Sequence, residues 1–182
     1  FWMMVFKYGE TYTPNDKLSY GIFPGKVGRE IGLQTGDKIV AVNGKKIERF
    51  EEIASSKVLL GNSELTVERN GETKFIKVPG NVIELVADHG IGEFVEPRFP
   101  LSRIMEIAPN SPAEKAGLKA GDSILAINQK PVTFFDQFFS EVQPKKNQQV
   151  QVSVLRGADT LAITSAVTPE GTIGVMIPRT GL

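Results

Sequence analysis

Apolar and polar residues follow one order of spacings along this chain, and that order occurs twice. Leu65 and Val67 alternate with Thr66 and Glu68, Asn70-Gly71 supplies a turn, and Phe75-Ile76-Lys77-Val78 returns. Val150, Val152 and Val154 alternate likewise with Gln151 and Ser153, and Leu161, Ile163 and Val167 lie on the return. A period of two predicts a β-hairpin in each place. Upstream of each hairpin the spacing lengthens. Phe50, Ile53, Ala54 and Lys57, and again Phe135, Phe138, Phe139 and Val142, form the stripe of a helix lying on a core, ended at Gly61 and Pro144. Further upstream, Asp37–Val42 and Asp122–Ile127 lack polar alternation, which predicts strands buried on both faces. Asn43-Gly44 is the pair that a type I′ turn prefers, and Asn128-Gln129 is a weaker form of it.

The repetition extends to the residues themselves. Gly32-Leu33-Gln34-Thr35-Gly36-Asp37 returns as Gly117-Leu118-Lys119-Ala120-Gly121-Asp122, 85 positions on, and the likeness continues to Ile47 and Val132. A period of that length used twice means two copies of one small domain. The 182 residues divide accordingly into a lead-in over 1–17, a first domain over 18–98 and a second over 99–182. In the second copy Ser111-Pro112-Ala113-Glu114 offers an N-cap, a first-turn proline and a capping box, and Gly117 stops a helix of little more than one turn. The first copy has Lys26, Val27 and Gly28 there, so its short helix is expected to be looser. Both copies close similarly, Ile91-Gly92-Glu93-Phe94-Val95-Glu96-Pro97-Arg98 against Ile173-Gly174-Val175-Met176-Ile177-Pro178-Arg179. Phe99-Pro100 then predicts a stiff connection.

Composition removes whole classes of function. Lys plus Arg and Asp plus Glu each number 21, so no basic field exists to gather phosphates, and nucleic acid is not an expected partner. The absence of Cys excludes disulfides, thiolate nucleophiles and Cys-based metal sites. The single histidine, His89, cannot supply a two-imidazole zinc centre or a Ser-His-Asp arrangement beside a special serine. Ser56-Lys57 sits on a helical stripe with no oxyanion signature and reads as a solvated helix face. Asp37 and Asp122, in separate copies, read as caps of the turns entering their strands. Phe134, Phe135, Phe138 and Phe139 at helical spacing read as core, with one ring turned outward. No catalytic residue, metal ligand or cofactor is expected in this chain. Phe1-Trp2-Met3-Met4-Val5-Phe6 has two readings, a strand tucked under the first domain or the clipped end of a transmembrane helix of a longer protein.

The order of short capped helix, Gly-Leu-x-x-Gly-Asp, apolar strand, Asn-Gly, striped helix and hairpin resembles a bacterial PDZ domain, and Ser111–Asn128 carries that family's most typical stretch. The resemblance implies an α+β, mainly β fold: two tandem permuted PDZ domains, each a small, partly open β-barrel or sandwich with a short and a longer helix. It implies a groove in which a peptide adds as a further strand while a loop of free N–H groups takes its terminal carboxylate. The groove residues it points to are Gly92, Glu93, Phe94 and Val95 in the first copy, and Gly174, Val175, Met176 and Ile177 in the second. Ala54 and Phe139 fall at equivalent places on the groove helices, so the first pocket is expected to be the roomier. Phe94 and Val175 stand where a glycine is often found, which implies weakened carboxylate binding.

The permuted order, the tandem and the leading apolar run together resemble the extracytoplasmic insert of site-2 proteases, membrane zinc metalloproteases of regulated intramembrane proteolysis. On that resemblance zinc belongs to the parent protein, at the periplasmic face of the inner membrane. The partners are extended or C-terminal peptide segments of trimmed membrane-protein substrates and the parent's own membrane domain, and the pair acts as a size filter or peptide-binding regulator. Arg98 and Arg179 end loops and could steer an acidic peptide. A second reading is a peptide-binding pair from another envelope protein, such as an HtrA-type serine protease or a secretion-system component. A third is a self-contained hydrolase.

Overall fold

The computed structural model describes residues 14–60 and 62–179, without the side chains of residues 56, 57, 88, 89 and 91. The apolar run at the N-terminus lies outside the described residues. The chain divides into two compact units, with the boundary between Arg98 and Phe99.

The first unit runs β1 (Ile22–Pro24), α1 (Lys26–Glu30), β2 (Lys38–Val42), β3 (Lys45–Lys46), a 3₁₀ turn over Phe50–Ala54, α2 (Ser56–Leu60), β4 (Glu64–Arg69), β5 (Glu72–Lys77), α3 (Val82–His89) and β6 (Val95–Pro97). Its four-stranded antiparallel sheet has the order β3-β2-β4-β5, and β1 pairs with β6 in a separate two-stranded sheet. The β4–β5 hairpin turns at Asn70 and Gly71 and the β2–β3 hairpin at Asn43 and Gly44, all four with positive φ, as a type I′ turn requires. The core gathers Ile22, Leu33, Ile39, Ile53, Leu65, Val67, Val78, Val82 and Phe94.

The second unit repeats the plan as β7 (Glu106–Ile107), α4 (Pro112–Ala116), β8 (Ser123–Ile127), β9 (Lys130–Pro131), α5 (Phe135–Val142), β10 (Gln149–Arg156), β11 (Asp159–Ala166) and β12 (Val175–Met176). The sheets are β11-β10-β8-β9 and β12-β7, over a core that includes Ile104, Ala113, Ile127, Val152, Val154 and Ile173. In both units the sheets remain open and do not close into a barrel. The cap of α4 forms as the pattern predicts. The Ser111 hydroxyl accepts from the Glu114 N–H at 3.2 Å, the Glu114 carboxylate accepts from the Asn110 N–H at 2.7 Å, and Gly117 takes the left-handed conformation.

Two expectations are corrected, and one element is added. The strands after each Gly-Asp are not buried on both faces: Lys38 in β2 and Leu125 in β8 are exposed, because each sheet covers only one side of its core. The striped helix of the first copy is broken. Ser55 is extended (φ −68°, ψ 151°) with its hydroxyl on the Glu52 carbonyl, so a 3₁₀ turn and a five-residue helix replace the single helix seen in α5. Finally, α3 is an additional helix, with Val82 and Val86 buried one turn apart and Gly90 (φ 92°) ending it. His89 is the last residue of that helix.

Candidate functional site

Each unit fixes its frame with the same buried ion pair. The Asp37 carboxylate accepts two bonds from Arg69 (2.7 Å each) and one from the Gln34 N–H, while Arg69 also donates to the Gly32 carbonyl at 2.8 Å. Asp122 does the same with Arg156 (2.8 Å each) and the Lys119 N–H, and Arg156 donates to the Gly117 carbonyl. Two-pronged guanidinium binding at buried carboxylates is strong and directional. The bonds from Arg156, helped by the Lys119 N–H, hold the Asp122 carboxyl below the usual carboxylate range against the opposing effect of burial. Arg69 and Arg156 are correspondingly raised, chiefly by their hydrogen bonds to the aspartates. With three bonds accepted at each buried carboxylate, both aspartates serve to hold their turns and arginines in place. The turn-cap role read from sequence is present, and the arginine partners are what that reading missed. Their one sequence signal is an arginine just before each hairpin turn, Asn70-Gly71 and Gly157.

In the second unit this frame leaves a groove between α5 and the segment that contains β12. At one end Gly171 lies against the Gln143 backbone, beyond the C-terminus of α5. At the other, the Arg179 guanidinium stacks over the Phe135 ring at 4.6 Å from its centroid, at the first residue of α5. The strand thus runs antiparallel to the helix. A cavity of about 430 Å³ lies along it, walled by Phe135, Phe139 and Val142 on the helix and by Ile173 to Ile177 on the strand. Phe138 turns into the core, whereas Phe139 keeps 44% of its surface exposed and stacks on Phe135 at 6.5 Å. Met176 is 52% exposed, Val175 half-buried and Ile177 buried.

β12 pairs only with β7 in its sheet, so its other edge has no partner strand among the described residues. Gly171 and Gly174 take positive φ (87° and 86°), which turns the backbone at the closed end. Among the described residues the N–H groups of Ile173 and Gly174 donate to no protein acceptor. An unpaired strand edge, apolar walls and free N–H donors at one end can hold an extended chain that ends in a carboxylate.

The first unit treats the equivalent residues differently. Ile22 and Ile104 donate their N–H groups to the Asp37 and Asp122 carbonyls in the same way, which aligns the two ladders. On that alignment Val95, opposite Pro24, corresponds to Met176, opposite Glu106. Gly92 and Glu93 lie in a 3₁₀ turn over Ile91–Glu93, and the Glu93 carboxylate accepts from the Lys26 N–H at the start of α1 at 2.9 Å. Phe94 is completely buried, its carbonyl accepting from the Gly25 N–H at 3.1 Å, and Val95 is 3% exposed. Ala54 is half-buried at the end of the broken helical segment, and α3 packs on α2.

The physical cause lies in α1. A Cβ on Gly28 would overlap the Phe94 carbonyl, and one on Gly25 would overlap the Glu93 backbone. Two glycines therefore let the loop sink onto the helix. In the second unit Gly28 is replaced by Ala113, whose N–H instead bonds the Ile173 carbonyl at 2.8 Å.

The first groove is expected from sequence to be the roomier, yet its Phe94 and Val95 are core while Ala54, Gly92 and Glu93 are half-buried. Phe139 builds a wall of the second groove and does not fill it. The first unit's large cavity, about 930 Å³, lies elsewhere, between Pro14–Leu18 and β2–β3, and touches neither Ala54 nor the loop over 92–95. Among the described residues no three potential metal ligands come together, and no helix is long and apolar enough to cross a membrane. The side chains of Ser56 and Lys57 lie outside the described set.

Comparison with known proteins gives the family signal. Residues 90–167 match the PDZ domain family. That span starts in the loop that strand pairing gives to the first unit and stops before Gly171–Ile177, so the family's order and this chain's order are offset by one loop. The chain is 29% identical over 150 residues to a periplasmic serine protease, do/HhoA-like, of Haemophilus influenzae, covering 75% of this chain and 32% of that protein. It is 30% identical over 74 residues to a protein of Clostridium perfringens named as a zinc metalloprotease, covering 41% of this chain and 22% of that protein. Among solved structures it is similar to the HtrA3 PDZ domain bound to a phage-derived ligand, at 23% identity and a TM-score of 0.34, over 38% of this chain and 77% of that one. The chain spans a third or less of the length of these curated relatives. A PDZ domain is present, and the fold is mainly β with open, PDZ-like sheets.

Proposed function

We propose that this chain is the non-catalytic peptide-binding region of an extracytoplasmic protease, with the second unit as receptor and the first as a closed structural partner. PDZ domains bind peptide ligands, and the observation that carries the proposal is the open groove of the second unit. Its unpaired β12 edge, the walls of Phe135 and Phe139 and the free N–H groups of Ile173 and Gly174 suit an extended segment with a free C-terminus. An envelope serine protease of the HtrA type is the parent that the similarity over 150 residues favours. Such a parent, named periplasmic in its relatives, would carry the catalytic nucleophile and its partner histidine elsewhere in its sequence.

A second reading, the insert of a membrane zinc metalloprotease, draws support from the Clostridium perfringens relative and from the pairing that gives the closing loop to the end of each unit. Zinc and the membrane domain would then lie in the parent. Peptide binding by the second unit is common to both readings. It is tested by fluorescence anisotropy of the full chain with labelled octapeptides ending in Phe, Leu or Val. Binding that weakens at least tenfold when the terminal carboxylate is amidated supports the proposal, and no binding by any free-acid peptide overturns it.

A further inference from the structure

The groove of the second unit is apolar but for one charge. Of the residues that line its cavity, Glu106 alone carries an acidic or basic side chain. It is exposed, and its carboxylate has no ion-pair or hydrogen-bond partner among the described residues. Of the nearby ionic groups, Arg179 lies over Phe135 and Asp136 has contacts of its own, while Arg103 is exposed before β7 and does not line the cavity. Glu106 is the ladder partner of Met176, so the two side chains stand on one face of the β7–β12 pair, and both border the cavity. In the first unit the corresponding position is Pro24, which carries no charge.

On this geometry, and resting on the peptide-binding reading above, we infer that Glu106 selects ligands with a basic side chain among the three residues that precede an apolar C-terminal one. A peptide strand added to the free edge of β12 lies two strand spacings, roughly 10 Å, from β7. A lysine or arginine side chain on the shared face, reaching from that strand towards Glu106, covers this distance jointly with the glutamate. The terminal carboxylate is held at the loop end, near Ile173 and Gly174, so the basic residue lies further out, beside Met176 and Ile177. A rim carboxylate facing one exposed cation changes affinity modestly and repels an acidic residue comparably.

The test uses the full chain and a fluorescein-labelled parent peptide, Gly-Ser-Gly-Thr-Thr-Thr-Thr-Phe, with a free carboxylate. Lys or Glu replaces each of the three Thr residues before Phe in turn. The expected result is that at one of these positions the Lys peptide binds about three- to tenfold tighter than its Glu counterpart at low salt. The ratio should shrink at high ionic strength and collapse to about one in Glu106→Gln, with circular dichroism showing that the variant is folded. Equal binding of Lys and Glu peptides at all three positions, or a preference that survives in Glu106→Gln, overturns the inference while leaving peptide binding standing. Failure of every peptide, the parent included, overturns the peptide-binding reading and this inference with it.

Discussion

Gly28 and Ala113 occupy the same place on the short helices of the two units, yet the loops that face them are in opposite states. Against Gly28 the Phe94 carbonyl comes so close that a methyl group would not fit, and Phe94 and Val95 become core. Against Ala113 the loop accepts a backbone hydrogen bond at Ile173, and its close approach to α4 is instead at Gly174, against the Ser111 side chain. Gly171 and Gly174 turn it, and Met176 and Phe139 remain open to solvent. A repeated sequence therefore gives one repeated frame, held twice by the Asp–Arg pair, but two different surfaces. Two missing Cβ atoms, at Gly25 and Gly28, let the first unit's loop pack against its own helix. The broken helix at Ser55 and the added α3 follow the same division, since both occur only in the unit whose loop has closed.

The sharpest way to break this comparison is to place a charge at the equivalent ladder positions. Val95→Asp buries a carboxylate without a partner and should lower the first unit's stability by about 3–5 kcal/mol. Met176→Asp, at a half-exposed position, should cost less than about 1 kcal/mol but weaken peptide binding tenfold or more. Urea unfolding and anisotropy on both variants check the crossover, and equal stability losses would contradict it.

Gly28→Ala forces the Phe94 carbonyl away and should cost about 2–3 kcal/mol in urea unfolding. A cost within about 0.5 kcal/mol would mean that the glycine is not what closes the loop. Asp122→Asn removes one partner of a buried pair whose arginine is partly solvated, so a loss of about 2 kcal/mol is expected. Because the folded carboxyl lies below its unfolded value of about 4, the native pair contributes fully above that pH. Its contribution is lost as pH falls through the lower folded value. The variant should therefore show a shallower acid limb in a pH series of unfolding midpoints. The smallest effect is expected for Phe139→Ala, under about 1 kcal/mol in stability with a few-fold loss of peptide affinity, because the ring walls the groove and supports little of the core.

Much of the frame was legible in the residues. Alternation in Leu65–Arg69 and Val150–Val154 marked the hairpins, Asn43-Gly44 marked its turn, and Ser111 with Glu114 marked a cap, because each depends on neighbours within a few positions. That one ring of Phe134–Phe139 turns outward was legible from helical spacing for the same reason, but not which ring. Illegible were features that depend on contacts across many positions. Arg69 reaches Asp37 and Arg156 reaches Asp122 across more than thirty residues. The closure of the first loop depends on Gly28 meeting Phe94, which no local pattern encodes. The stripe through Phe50, Ile53, Ala54 and Lys57 promised a helix that Ser55 interrupts, since its extended backbone and its bond to the Glu52 carbonyl win over apolar spacing.

The central claim is that peptide engages the second unit and not the first, and amide chemical-shift mapping of the full ¹⁵N-labelled chain tests it most directly. With the free-acid peptide Gly-Ser-Gly-Thr-Thr-Lys-Thr-Phe, the account predicts perturbations concentrated at Ile173–Ile177, Glu106 and Phe135–Val142, with the amides of Gly92–Val95 and Phe50–Ala54 unmoved. Saturable shifts at Gly92–Val95 of the same size as those at Ile173–Ile177 would contradict it.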